Sequence, residues 1–72
     1  MQLYVLTERY EEDDCIERIF IKGENREKAF EDKASTLLTD GYIQRGKFPV
    51  LKFVRGKNDW AEFTFETKET ED

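Results

Sequence analysis

Short apolar runs near the N-terminus predict two β-strands joined by a polar connection. Residues 1–7 contain the run Leu3–Leu6, which has no polar face and is therefore typical of a central strand covered on part of both sides. Residues 15–22 predict a second strand, with Ile16 and Phe20 on one face and Ile19 and Ile21 on the other. Because a polar stretch separates the two, we predict a hairpin with a loop longer than two residues.

After Gly23 the apolar spacing changes from that of a strand to that of a helix. Four residues recur on one helical face: Phe30, Ala34, Leu37 and Leu38. Asn25 suits the N-cap, and Gly41 suits the left-handed residue of a Schellman C-cap in which Tyr42 folds back onto Leu37. The pattern predicts a helix over about residues 26–40.

The remaining sequence predicts two more strands and a tail. Residues 42–48 are interpreted as a loop or short irregular strand that ends at Pro49. Strands are predicted over 50–55 and 60–67, and the second places Ala61, Phe63 and Phe65 on one face and Trp60, Glu62, Thr64 and Glu66 on the other. We predict that 68–72 form a frayed acidic tail.

These elements predict an α+β fold in a single small domain over residues 1–67. The expected architecture is a four-stranded, largely antiparallel sheet with one helix packed on one face, in the order β-β-α-β-β. The pattern does not determine the order of the strands in the sheet.

Composition excludes several kinds of chemistry. The 72 residues include no histidine and one cysteine, which rules out an internal disulfide, a Ser-His-Asp or Cys-His arrangement and an ordinary structural zinc site. The sequence contains neither a membrane-length apolar segment nor a signal-peptide pattern. We therefore expect a cytoplasmic protein without catalytic activity, metal or cofactor.

Charge is distributed in blocks along the chain, although the net charge is only −5. Residues 8–17 contain six acids and one arginine, 41–58 contain five bases and no acid, and 59–72 contain six acids and one lysine. One interpretation is that the blocks neutralise one another on a solvated sheet. The other is that one block forms an interaction surface for an oppositely charged partner.

The acidic run beside Cys15 is a weak candidate for a metal or thiol site. Its carboxylates lack the ligand spacing of a calcium loop, and neighbouring residues of an extended chain point to opposite sides. Acidic neighbours also disfavour a reactive thiolate at Cys15. We interpret this run as the connection of the hairpin.

Two sets of residues are candidate binding sites. The protein-binding hypothesis uses acidic side chains and the only tryptophan: Glu8, Glu11, Glu12, Asp13, Asp14, Trp60 and Glu62. The nucleic-acid alternative uses the basic block, which is interleaved with aromatic residues: Arg45, Lys47, Lys52, Arg55 and Lys57.

Three segments carry a resemblance to known proteins: "LYVLTERY", "NREKAFEDKA" and "WAEFTFE". On these the chain resembles small bacterial and phage proteins of β-β-α-β-β type that have no assigned activity. The resemblance implies the same order of elements, and it transfers no catalytic residue to this chain.

The combined observations give one preferred hypothesis and two alternatives. We expect a small acidic binding or regulatory module whose segments 8–17 and 59–72 dock on a basic surface of a protein partner. Its specific form is a phage-encoded inhibitor of a host nucleic-acid-handling or defence protein, acting in the host cytoplasm. The alternatives are a nucleic-acid-binding regulator that uses segment 42–58 and a structural homodimer formed by pairing of sheet edges.

Overall fold

The computed structural model describes residues 1–12 and 14–71, which form one helix and one antiparallel sheet of five strands. The elements in chain order are β1 (Gln2–Tyr10), β2 (Cys15–Phe20), α1 (Gly23–Thr39), β3 (Ile43–Lys47), β4 (Val50–Arg55) and β5 (Asp59–Glu69). The prediction of an α+β fold with a single helix and an antiparallel sheet is confirmed.

The sheet has the order β2-β1-β5-β4-β3, so the prediction of four strands was wrong by one. The additional strand, β3, lies in the segment interpreted as a loop or short irregular strand, and it pairs with β4 from Ile43↔Val54 to Lys47↔Val50. A two-residue turn of Phe48 and Pro49 joins the two strands. β3 gives little strand signal because only Ile43 is apolar and Gly46 lies near its end.

The central strands β1 and β5 are longer than predicted because each provides a partner for the other. Their pairing runs from Gln2↔Glu69 to Tyr10↔Ala61, three residues beyond the predicted end of β1. Lys68 and Glu69 therefore belong to β5 and not to a frayed tail, and Thr70 donates its backbone N–H to Met1 at 2.8 Å. Asp72 lies outside the described residues.

The start of α1 differs from the prediction, whereas its end agrees. The predicted N-cap, Asn25, lies inside the first turn and donates its amide to the Lys22 carbonyl at 3.2 Å, so the helix begins at Gly23 without a side-chain cap. At the other end Tyr42 N–H reaches the Leu37 carbonyl at 3.0 Å and Gly41 N–H reaches that of Leu38 at 3.2 Å. These two hydrogen bonds and the φ of +92° at Gly41 form the predicted Schellman motif.

The hydrophobic core lies between α1 and one face of the sheet, hereafter the helix face. Its fully buried members Phe53 and Phe63 contact each other, and Phe30 of α1 packs across Phe63 with ring centroids 5.4 Å apart. Leu37 of α1 is buried with them, whereas Leu38 is 49% exposed. The opposite face of the sheet carries no helix among the described residues and is called the open face below.

Candidate protein-docking surface

Backbone hydrogen bonds hold the acidic β1–β2 loop against the end of the sheet. Tyr10 donates its N–H to the Asp14 carbonyl at 2.9 Å, which closes the loop onto itself. Glu11 donates to the Trp60 carbonyl at 3.3 Å, which extends the β1–β5 pairing by one residue. The loop is therefore positioned by main-chain contacts, and the side chains of Glu11, Glu12 and Asp14 are left to face solvent.

The loop and the first residues of β5 form a cleft of about 330 Å³. It combines carboxylates with aromatic rings and contains one cation; its lining consists of Tyr10, Glu11, Glu12, Asp14, Tyr42, Arg55, Asp59 and Trp60. Four of the seven residues proposed for protein binding from the sequence thus meet at one place: Glu11, Glu12, Asp14 and Trp60.

The cation of this cleft, Arg55, is already engaged by neighbouring groups. Its Nη2 lies 3.1 Å from Oδ2 of Asp59, and Nη1 donates to the Asp40 carbonyl at the end of α1 at 3.0 Å. The guanidinium also stacks over the Tyr42 ring, 4.6 Å from its centroid. The hydrogen bond to Asp59 raises the pKa of Arg55 above its ordinary value, so the side chain keeps its charge.

The loop carboxylates are not neutralised in the same way. Within residues 1–12 and 14–71 no salt bridge joins Glu11, Glu12 or Asp14 to a cation, and all three residues are exposed. Asp13, the fourth carboxylate of the run, lies outside the described residues. The described loop therefore presents negative charge that a basic group from another molecule can approach.

Glu8 does not belong to this surface, although it was a candidate for protein binding. Because β1 continues to Tyr10, Glu8 falls on the helix face, where it is only 1% exposed. Its carboxylate accepts Arg18 Nε at 3.0 Å and the Tyr10 hydroxyl at 2.7 Å. The pKa of Tyr10 is raised well above its ordinary value, mainly by burial and secondly by the hydrogen bond to Glu8. The hydroxyl therefore stays protonated and donates.

Trp60 and Glu62 lie on the open face, each half-buried by its neighbours. The strand register places Glu62 opposite Lys52 on β4 and opposite Arg9 on β1. Lys52 also lies over the Trp60 ring with Nζ 5.2 Å from the centroid. Opposite charges therefore face one another here, as expected if the charge blocks neutralise one another on the sheet.

The structure separates the five basic residues proposed for nucleic-acid binding. Arg45 and Lys52 are directly opposite each other on β3 and β4, and Lys47 lies on the same open face. Arg55 lies on the helix face in its contact with Asp59, while Lys57 lies in the β4–β5 turn. Only three of the five therefore share a surface.

A smaller hollow of about 310 Å³ lies beside the cleft, lined by Arg9, Tyr10, Asp14, Cys15 and Trp60. The thiol of Cys15 is exposed there and free.

No group of three or more acidic or cysteine residues in the described part of the chain is arranged to hold a metal ion. The helix described, α1, is not long and apolar enough to cross a bilayer.

Sequence reasoning missed Tyr10, Tyr42 and Asp59 as members of the cleft. A signal for Tyr10 exists, since Tyr4, Leu6 and Tyr10 have the period of two of a strand. The polar Glu8 interrupts that period, which ended the predicted strand too early. Asp59 gives no comparable signal, because only the fold places it beside the β1–β2 loop.

Comparisons with family models, with curated protein sequences and with solved structures give no match. The resemblance to small bacterial and phage proteins therefore stays a prediction.

Proposed function

We propose that this protein is a non-catalytic docking module that binds a basic surface of a protein partner through the cleft between the β1–β2 loop and β5. The observation that supports it is the meeting of Glu11, Glu12 and Asp14 with aromatic rings in one cleft of about 330 Å³. The carboxylates favour a lysine or arginine, which gains charge-assisted hydrogen bonds, whereas the Tyr42 and Trp60 rings already carry Arg55 and Lys52. The one cation in the cleft, Arg55, is held by Asp59 and Asp40.

The chemistry of the partner follows from the cleft. The partner's docking group is an exposed arginine or lysine surrounded by further bases. Several positive charges are needed because the cleft presents three carboxylates. Proteins that handle nucleic acid carry such surfaces. An inhibitor of a host nucleic-acid-handling or defence protein, encoded by a phage and acting in the host cytoplasm, is the form that we propose to test first.

The experiment compares two triple variants that lose the same charge. E11Q/E12Q/D14N removes the cleft carboxylates, and E24Q/D32N/E66Q removes three exposed carboxylates elsewhere. Each protein is used for capture from nuclease-treated bacterial lysate at low and high salt, and the bound protein is then purified and titrated. We expect the native chain and E24Q/D32N/E66Q to bind one basic protein alike. E11Q/E12Q/D14N should bind it at least about tenfold more weakly.

Three outcomes contradict the proposal. One is capture of the same protein by both variants with equal affinity. Another is the absence of any basic protein among those captured by the native chain. The third is recovery of nucleic acid in the absence of nuclease, with loss of that binding when Arg45, Lys47 and Lys52 are changed to alanine.

That third outcome would support the nucleic-acid alternative, which one observation favours. Arg45, Lys47 and Lys52 share the open face with Trp60. A basic surface beside an aromatic ring is a common arrangement for single-stranded nucleic acid. The acidic cleft at the end of the same sheet would repel a polyanion, so we rank this alternative second.

A further inference from the structure

A groove runs along α1 on the side of β3 and β4, away from the acidic cleft. It consists of two hollows of about 500 Å³ and 210 Å³ that both have Phe30 and Glu31 in their linings. Apolar side chains form much of the lining: Phe30, Ala34, Leu38, Phe48, Leu51 and Phe65. Leu38 is 49% and Phe48 68% exposed, so the groove leaves apolar surface in water.

The outer side of this groove is a free strand edge. β3 is the last strand of the sheet and pairs only with β4 among the described elements. The hydrogen bond from Phe65 N–H to the Pro49 carbonyl, 2.9 Å long, establishes which β4 residues bond to β5. In an antiparallel sheet the backbone N–H and C=O groups of successive residues point alternately to one neighbouring strand and to the other. The backbone groups of Val50, Lys52 and Val54 therefore bond to β3.

By the same alternation the backbone groups of Gln44 and Gly46 point away from the sheet. They can pair with an added strand. Both residues belong to the helix face, because their partners on β4 are Phe53 and Leu51. Gly46 has a φ of +84°, and an added Cβ would lie 2.9 Å from the Val50 carbonyl oxygen. Glycine is therefore needed there, and no side chain at 46 stands between the free edge and the groove.

Charge on the other side of the same edge indicates what kind of strand fits. Arg45 and Lys47 are exposed on the open face of β3, and the residue opposite Arg45 on β4 is Lys52. A strand added beside β3 would place alternate side chains next to these cations and the others next to the groove. Acidic residues suit the first set of positions, and apolar residues suit the second.

We propose that the β3 edge and its groove bind an extended segment of a partner protein in which acidic and apolar residues alternate. The segment adds as a sixth, antiparallel strand through Gln44 and Gly46, with its apolar side chains toward Leu38 and Phe48. Its carboxylates lie beside Arg45 and Lys47. This surface is distinct from the acidic cleft and does not depend on it.

A second copy of this chain is a poorer occupant of the edge. When all five residues of β3 pair antiparallel with a second β3, Arg45 lies opposite its own copy, and like charges directly opposite each other are destabilising. Pairing between two β3 strands would therefore bring like cations together, whereas an acidic segment would neutralise them.

The test uses a defined probe, the capped peptide Glu-Val-Glu-Val-Glu-Val-Glu, titrated into the isotopically labelled full chain and followed by NMR. We expect saturable shifts of the amide signals of β3, Leu38 and Phe48. The peptide in which every Glu is Lys should bind at least about tenfold more weakly. In the variant R45E/K47E the preference between the two peptides should reverse, and both substituted positions are exposed, so the fold is retained.

A proline pair tests whether the main chain takes part. Q44P removes the outward N–H of β3 at an edge position where proline is tolerated, and it should abolish the shifts. E17P makes the same change on the exposed edge strand β2 and should leave them unchanged. The circular dichroism spectrum of each variant reports whether the sheet is intact.

Several results would overturn the proposal. Shifts centred on β2 or on the acidic cleft would place the peptide elsewhere. Equal binding by the native chain and R45E/K47E would remove the role of charge. Sedimentation that shows self-association of the native chain, lost in Q44P, would assign the edge to a second copy.

Discussion

The two sides of α1 differ in how completely the helix face of the sheet is closed. Toward β1, which lies closest to the helix, even the carboxylate of Glu8 is buried and held by Arg18 and Tyr10. Toward β3 the apolar side chains of Leu38 and Phe48 stay exposed, and the strand edge has no partner within the described chain. The closed side supplies stability, whereas the side toward β3 can change with little effect on folding.

Phe63→Ala should give the largest effect, because Phe63 is fully buried where the closed side meets the core. Its ring contacts Tyr10, Phe30 and Phe53 with centroid distances of 6.5, 5.4 and 5.5 Å. Removal of such a ring leaves a cavity, and we expect the free energy of unfolding to fall by about 3–5 kcal/mol. Urea denaturation measures it, and a loss below about 1 kcal/mol would contradict the described core.

Leu37→Ala should lower the free energy of unfolding by about 2–4 kcal/mol, since Leu37 is 8% exposed. The adjacent Leu38→Ala is the matched control, because the same atoms are removed one residue along the helix on the groove side. That control should cost less than about 1 kcal/mol. Equal losses for the two variants would mean that Leu38 is packed as tightly as Leu37.

Glu8→Gln should lower the free energy of unfolding by about 1–2 kcal/mol. The amide can still accept from Tyr10, but it loses the charge that Arg18 Nε meets at 3.0 Å. Glu24→Gln, at an exposed residue of the first helical turn, should change stability by less than about 0.5 kcal/mol. A Glu8 effect as small as that of Glu24 would argue that the buried carboxylate contributes nothing.

Phe48→Ser should have a small effect on folding, about 1 kcal/mol or less, because Phe48 is 68% exposed and its ring centroid lies 5.2 Å from that of Phe65. The same change should weaken binding of the Glu-Val peptide severalfold. Unchanged peptide affinity with intact stability would separate Phe48 from the proposed surface.

Periodicity predicted the buried core better than the exposed margin of α1. The alternation in β5 correctly placed Ala61, Phe63 and Phe65 on one face, and the helical spacing correctly selected Ala34 and Leu37. The same spacing could not distinguish Leu37 from Leu38. Both belong to one apolar stripe of the helix, and only the position of the sheet decides which of them is covered.

The elements that sequence reasoning missed are those determined by partners distant in the chain. β3 forms because β4 offers a ladder, although its own residues favour a strand only at Ile43. The sequence places Glu8 in an acidic surface. In the structure its carboxylate is buried and is paired with Arg18 and the Tyr10 hydroxyl. The acidic cleft was half predictable: the carboxylates are adjacent in sequence, but Tyr42 and Asp59 arrive there only through folding.

The hollow beside the cleft brings the only cysteine of the chain next to its only tryptophan. A thiol-reactive dye on Cys15 would therefore act as an energy-transfer acceptor for the indole of Trp60 without any engineered residue. Since Trp60 also lines the acidic cleft, quenching or recovery of its emission would give an optical signal for occupancy of that cleft. The native sequence thus provides one donor and one attachment point for an acceptor, and the donor lies where a docking partner would change the solvent around it.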